Sequence, residues 1–74
     1  MTNDPKVMLE VVGNELGRLI KLFEDSIDAD DEMCRYILTS QETCEMLVQL
    51  EEYPSAVREL IACRDRIMAF LGLK

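Results

Sequence analysis

Six of the nine residues in the stretch EDSIDADDE, residues 24–32, are carboxylates: Glu24, Asp25, Asp28, Asp30, Asp31 and Glu32. Carboxylates this dense can ligate a hard cation, meet a basic partner, or sit in water at a corner between helices. An EF-hand calcium loop needs acids at positions 1, 3 and 5, Gly at 6 and a bidentate Glu at 12. Started at Asp28, the stretch supplies Asp28, Asp30 and Glu32, but Met33 falls at position 6 and Thr39 at position 12. The turn-forming Gly and the closing Glu are both absent. The expectation is a solvated interhelix corner with capping acids, and no metal site.

Other chemistry is sparse. The chain has no His, so the usual general base and the commonest transition-metal ligand are missing. Cys34, Cys44 and Cys63 form no CxxC pair for zinc or redox work. Cys44 and Cys63 fall on apolar faces and read as small core residues. No Gly-rich phosphate loop is present. We therefore expect no catalytic residue, no cofactor and no enzyme activity.

Two features point to binding. Asp31, Glu42, Glu45 and Glu52 recur at helical spacing with Gln49 between them, which predicts an acidic stripe. GNELG places Gly13 and Gly17 four residues apart on a predicted helix. Small residues at that spacing let a second helix approach closely, within or between subunits. Each Gly costs about 1 kcal/mol against Ala in a helix interior, which suggests a packing reason.

The elements that position these residues are all helical. Asp4 suits an N-cap and Pro5 the first helical position. Leu9, Val12, Leu16, Leu19 and Phe23 then recur at 3, 4, 3, 4 spacing, the seam of a helix packed along another. Met8, Ile20 and Ile27 widen that stripe, predicting a first helix over about 4–27. Asp28 or Asp30 caps a second helix, about 30–52, with Met33, Ile37, Cys44, Leu47 and Leu50 on its core face. Its middle is weak: Thr39 and Glu42 have capping-box spacing, so a kink or restart near Thr39–Ser40 is the alternative to one helix.

Pro54 ends that element or kinks it and suits the start of a third helix, about 54–72. One face of this helix carries Ala56, Leu60, Cys63, Ile67 and Phe70. A neighbouring face carries Val57, Ile61, Met68 and Leu71. A helix apolar over so much of its girth packs against more than one neighbour. Gly72 suits its C-cap, leaving Met68–Leu73 as either a last core turn or an exposed apolar patch. No strand pattern or repeat is visible. The expected fold is all-α, one helical domain over 1–74: a small three-helix bundle, or a kinked helical hairpin, completed by oligomerisation. Short connections set sequence neighbours antiparallel.

The bulk numbers narrow the partners. A chain of 74 residues forms a marginal core alone, and oligomerisation is a common remedy. The net charge is -7, with the ten acids of residues 24–52 facing Arg35 alone. Phosphate neutralisation needs cations this chain lacks, so direct nucleic-acid binding is not expected, nor binding to an anionic membrane. No apolar run approaches the ~18 residues of a spanning helix, and the first residues show no secretory signal. With an odd number of cysteines, the expected setting is the reducing cytoplasm.

The functional expectation is an acidic intracellular protein-interaction module: an adaptor, co-chaperone or regulatory subunit. It would bind another protein or itself through Val57, Ile61, Met68 and Leu71. The alternative is an inhibitor whose acidic stripe, Asp31, Glu42, Glu45 and Glu52, occupies a basic nucleic-acid-binding groove by phosphate mimicry.

Overall fold

The computed structural model describes residues 4–73, and among them every regular element is helical. Helix α1 spans Pro5–Glu24, α2 Asp31–Gln49 and α3 Tyr53–Leu71. Asp4 caps α1, its carboxylate accepting from the Lys6 backbone N–H at 2.9 Å. Asp30 caps α2 by accepting from the Met33 N–H at 2.8 Å, and Asp31 and Glu32 occupy the first turn, where the helix dipole favours negative charge.

Both ends of the α1–α2 connection differ from the sequence expectation. Helix α1 stops at Glu24 rather than 27. Asp25 closes it, and the Ser26 hydroxyl accepts from the Asp28 N–H at 3.1 Å, bending the chain away from helix. Ile27 therefore does not extend the core stripe; it is 99% exposed. In α2, by contrast, the weak middle does not restart: one continuous helix runs through Thr39 and Ser40. Ser40 is buried, and its hydroxyl donates to the Glu59 carboxylate of α3 at 3.1 Å instead of competing for its own backbone.

A tight turn separates α2 from α3. Glu51 adopts a left-handed conformation, φ 60°. The Glu52 N–H donates to the Leu47 carbonyl at 2.8 Å and the Glu51 N–H to Val48 at 3.0 Å, the Schellman pattern. Pro54 sits in the first turn of α3, where a missing N–H costs nothing. The hairpin alternative, with Pro54 merely kinking a long helix, is thereby replaced by three separate helices. Helix α2 ends at Gln49, short of 52, and Leu50 is exposed. Gly72 closes α3 with the same Schellman pattern at φ 72°.

The packing order is α1–α3–α2. Lys6 lies over the Tyr53 ring, Glu15 pairs with Arg64, and Phe23 meets Phe70 edge-on with ring centroids 5.3 Å apart. These pairs advance together along both helices, so α1 and α3 run parallel. On the other side, the Cys44 thiol approaches the Ala56 carbonyl, Ser40 bonds Glu59, and Arg66 covers the Tyr36 ring. Those pairs run in opposite directions, so α2 is antiparallel to α3.

Ala56, Cys63 and Ile67 of α3 are wholly buried between Val12, Leu16, Leu19 and Phe23 of α1 and Met33, Ile37 and Cys44 of α2. No Cα of α1 comes within 8 Å of a Cα of α2. Extents of 36 × 26 × 15 Å are those of a slab, an open bundle with α3 at its centre.

Candidate helix-docking groove

The gap between α1 and α2 is a groove. Toward the start of α1, Gly13, Gly17, Leu16 and Ile20 face Gln41, Cys44 and Glu45 of α2 across a depression of about 350 Å³, with Leu60 of α3 as its floor. Toward the acidic corner, Ile20, Phe23 and Glu24 face Cys34, Ile37, Leu38 and Gln41 across a second depression of about 330 Å³. Ile20 and Gln41 line both, so the two depressions adjoin and follow one another along the α1–α2 gap as a trough.

The walls follow from helix geometry. The core seam of α1 points at α3, and the residues about 100° further round that helix, Gly13, Gly17, Ile20 and Glu24, look across at α2. Gln41, Cys34, Glu45 and Leu38 are displaced in the same way from the core face of α2. Neither glycine is packed: a Cβ built on Gly13 or on Gly17 meets nothing within 4 Å. The close helix contact expected from GNELG is therefore not made inside the chain. Leu38, 60% exposed, is the largest apolar side chain left open on the α2 wall.

The electrostatics are one-sided. Glu24 and Glu45 line the groove, and among the described residues no Lys or Arg lines either depression. Glu42 lies four residues from Leu38 and three from Glu45, and Asp31 lies seven before Leu38, so both continue that edge of α2. All four acids are exposed. Glu52 does not share the edge, because α2 has already ended and Glu52 stands at the N-cap of α3. The acidic stripe thus comprises Asp31, Glu42 and Glu45, with Arg35 and Leu38 on the same edge.

Four cations have partners elsewhere. Arg64 donates to Glu15 at 2.9 Å and to Asp65 at 3.1 Å, and Arg58 to the Ser55 hydroxyl at 3.0 Å. Lys6 and Arg66 lie over Tyr53 and Tyr36.

The apolar residues proposed on the last helix occupy a different place. Val57, Ile61, Met68 and Leu71 are all half-buried, and Ile61, Met68 and Leu71 pack against the core. None of them lines the groove. Because α3 is the central helix, its second apolar face is largely used within the chain.

Of the thiols, Cys34 is exposed in the groove wall, while Cys44 and Cys63 are buried. Burial pushes both buried thiols above the usual thiol range, and the nearby Glu59 carboxylate adds to it; a hydrogen bond with Ser40 partly offsets the effect at Cys63. They stay protonated at neutral pH and are poor nucleophiles. Among the described residues, no three Cys, Asp or Glu side chains are gathered as metal ligands would be, the acidic corner included. No helix among them is long and apolar enough to cross a membrane.

The groove was not legible from spacing, which had marked Gly13 and Gly17 but not Leu38 or Gln41. Leu38 carried a faint signal, as a large apolar residue outside the core face of its helix. No family model, no curated protein and no solved structure matches this chain.

Proposed function

We propose that this chain is a cytoplasmic protein-interaction module, an adaptor or regulatory subunit, that receives a helix of another protein between α1 and α2. The observation that carries the reading is the unfilled trough: two helices that share a neighbour but whose backbones stay more than 8 Å apart, with largely apolar walls and glycines that face open space. An amphipathic helix laid in a groove is a recurrent recognition mode. A fourth helix here would bury Leu38 and Ile20 and give Gly13 and Gly17 the close neighbour they lack.

Phosphate mimicry by the acidic stripe has less support. Arg35 and Leu38 interrupt the carboxylates along α2, and Glu52 is displaced from them. Such an edge suits an occupant with apolar side chains better than a groove built for bare phosphates.

A site-specific photo-crosslinker tests the reading. Placed at Leu38, it should join one discrete protein in the native cell, through a helical segment of that protein. Placed at Val11, which is exposed away from the groove, it should not. Equal capture from both positions, or capture from Val11 alone, would overturn the proposal.

A further inference from the structure

Resting on the groove reading, we infer that the occupant is a cationic amphipathic helix, with its apolar stripe in the trough and its Lys or Arg side chains against the acidic edge of α2. Charge complementarity carries the choice. Among the described residues the lining holds Glu24 and Glu45 and no cation. Glu42 and Asp31 extend the acidic edge, and among the described residues the only bases at the borders by helical spacing are Lys21, beside Gly17 and Glu24, and Arg35, beside Asp31 and Leu38. Lining and borders together hold four acids against two bases, and the excess lies in the lining itself.

A second copy of the chain fits less well. It carries the same net charge of -7, and two grooves meeting face to face would set their acidic linings, Glu24 and Glu45, against each other. The shape argues for a helix over an extended peptide. The trough runs along residues 13–24 of α1, about 18 Å at helical rise, or roughly three turns. Its walls are side chains of helices whose backbone hydrogen bonds are already made, so an extended strand would find no ladder to join. The bare backbone at Gly13 and Gly17 admits a helix at close range.

The test uses three designed amphipathic peptides of about four turns. They share one Leu/Ala stripe and carry Lys, Gln or Glu on the polar face. Binding to the full chain is read by fluorescence anisotropy at low and high salt. Two variants accompany the parent: Gly17→Leu, which fills the trough, and the pair Glu24→Lys with Glu45→Lys, which reverses the charge of its lining. All three substituted residues are exposed, and circular dichroism checks that each variant keeps its helices.

The expected result is that the Lys peptide binds about tenfold or more tighter than the Gln peptide, and that salt narrows the gap. The charge-reversed chain should prefer the Glu peptide, and Gly17→Leu should abolish binding of all three. Equal binding of the three, lost in Gly17→Leu, would leave the groove standing and overturn the cationic occupant. Lys-peptide binding that ignores Gly17→Leu would be surface attraction alone and would overturn both, as would no binding by any peptide. Self-association abolished by Gly17→Leu would make a second copy the occupant and overturn the inference.

Discussion

Replacing Gly13 and Gly17 together with Ala should make the isolated chain more stable. Both lie inside a helix of 20 residues, away from its ends. Glycine there costs conformational entropy that alanine does not, about 0.4–1 kcal/mol per site. Steric cost is absent, because a Cβ at either position meets nothing within 4 Å. The two gains are expected to add to about 1.5 kcal/mol. For a domain of this length that is a rise in Tm of roughly 6–12 °C.

Thermal melts followed by circular dichroism, at two protein concentrations, measure it. A Tm that stays level or falls would refute the reasoning. It would mean that the space beside the glycines is filled in solution, by α1 closing on α2 or by another copy. Concentration dependence separates these two, since only association makes Tm depend on protein concentration. A stabilising substitution that also closes a binding site is a familiar trade, because binding surfaces are seldom optimised for stability.

Three further outcomes are expected. Glu51→Gly should stabilise the chain by about 1 kcal/mol in urea denaturation, because glycine takes the left-handed conformation at φ 60° without a Cβ clash; a loss would show that the Glu51 side chain contributes more than its backbone strain costs. Phe23→Ala should cost about 3–5 kcal/mol, because Phe23 is buried against Phe70, whereas Ile27→Ser should change stability by under about 0.5 kcal/mol; similar losses from the two would contradict the observed end of α1.

The buried thiols make a pH prediction. Cys44 and Cys63 hold their protons in the folded chain at a pH where the unfolded chain is already losing them. The unfolded state then binds fewer protons, so stability is level below about pH 8.5 and falls as pH rises further. Urea melts across that window check the sign, and stability that increased with pH there would contradict it. In the native chain only Cys34 should react promptly with a thiol reagent.

Much of the local structure could be read from the chain itself. Asp4 and Pro5 open α1 and Gly72 closes α3, because capping depends on residues within one turn of each other. Ala56, Leu60, Cys63 and Ile67 recur at helical spacing and are the buried residues of α3, since periodicity records which side of a helix avoids water. The misreadings are equally local in cause. Ile27 matched the stripe, but the helix had ended at Glu24, and apolar spacing alone does not see a stop made by Ser26 and Asp25. Ser40 was not assigned to the core face because its partner, Glu59, lies on another helix.

Tertiary structure alone decided how the helices pair. Short connections suggest that sequence neighbours pack together, yet α3 takes the central place and α1 and α2 stay apart. A helix face encodes that it is buried, not by what, because the hydrophobic effect has no direction. Val57, Ile61, Met68 and Leu71 looked spare for that reason and are half-buried once α3 has two neighbours. The groove is a consequence of the same pairing. Gly13, Gly17, Leu38 and Glu45 are ordinary helix positions along the chain, and they face the gap between α1 and α2 only because a third helix holds those two helices side by side with their backbones apart.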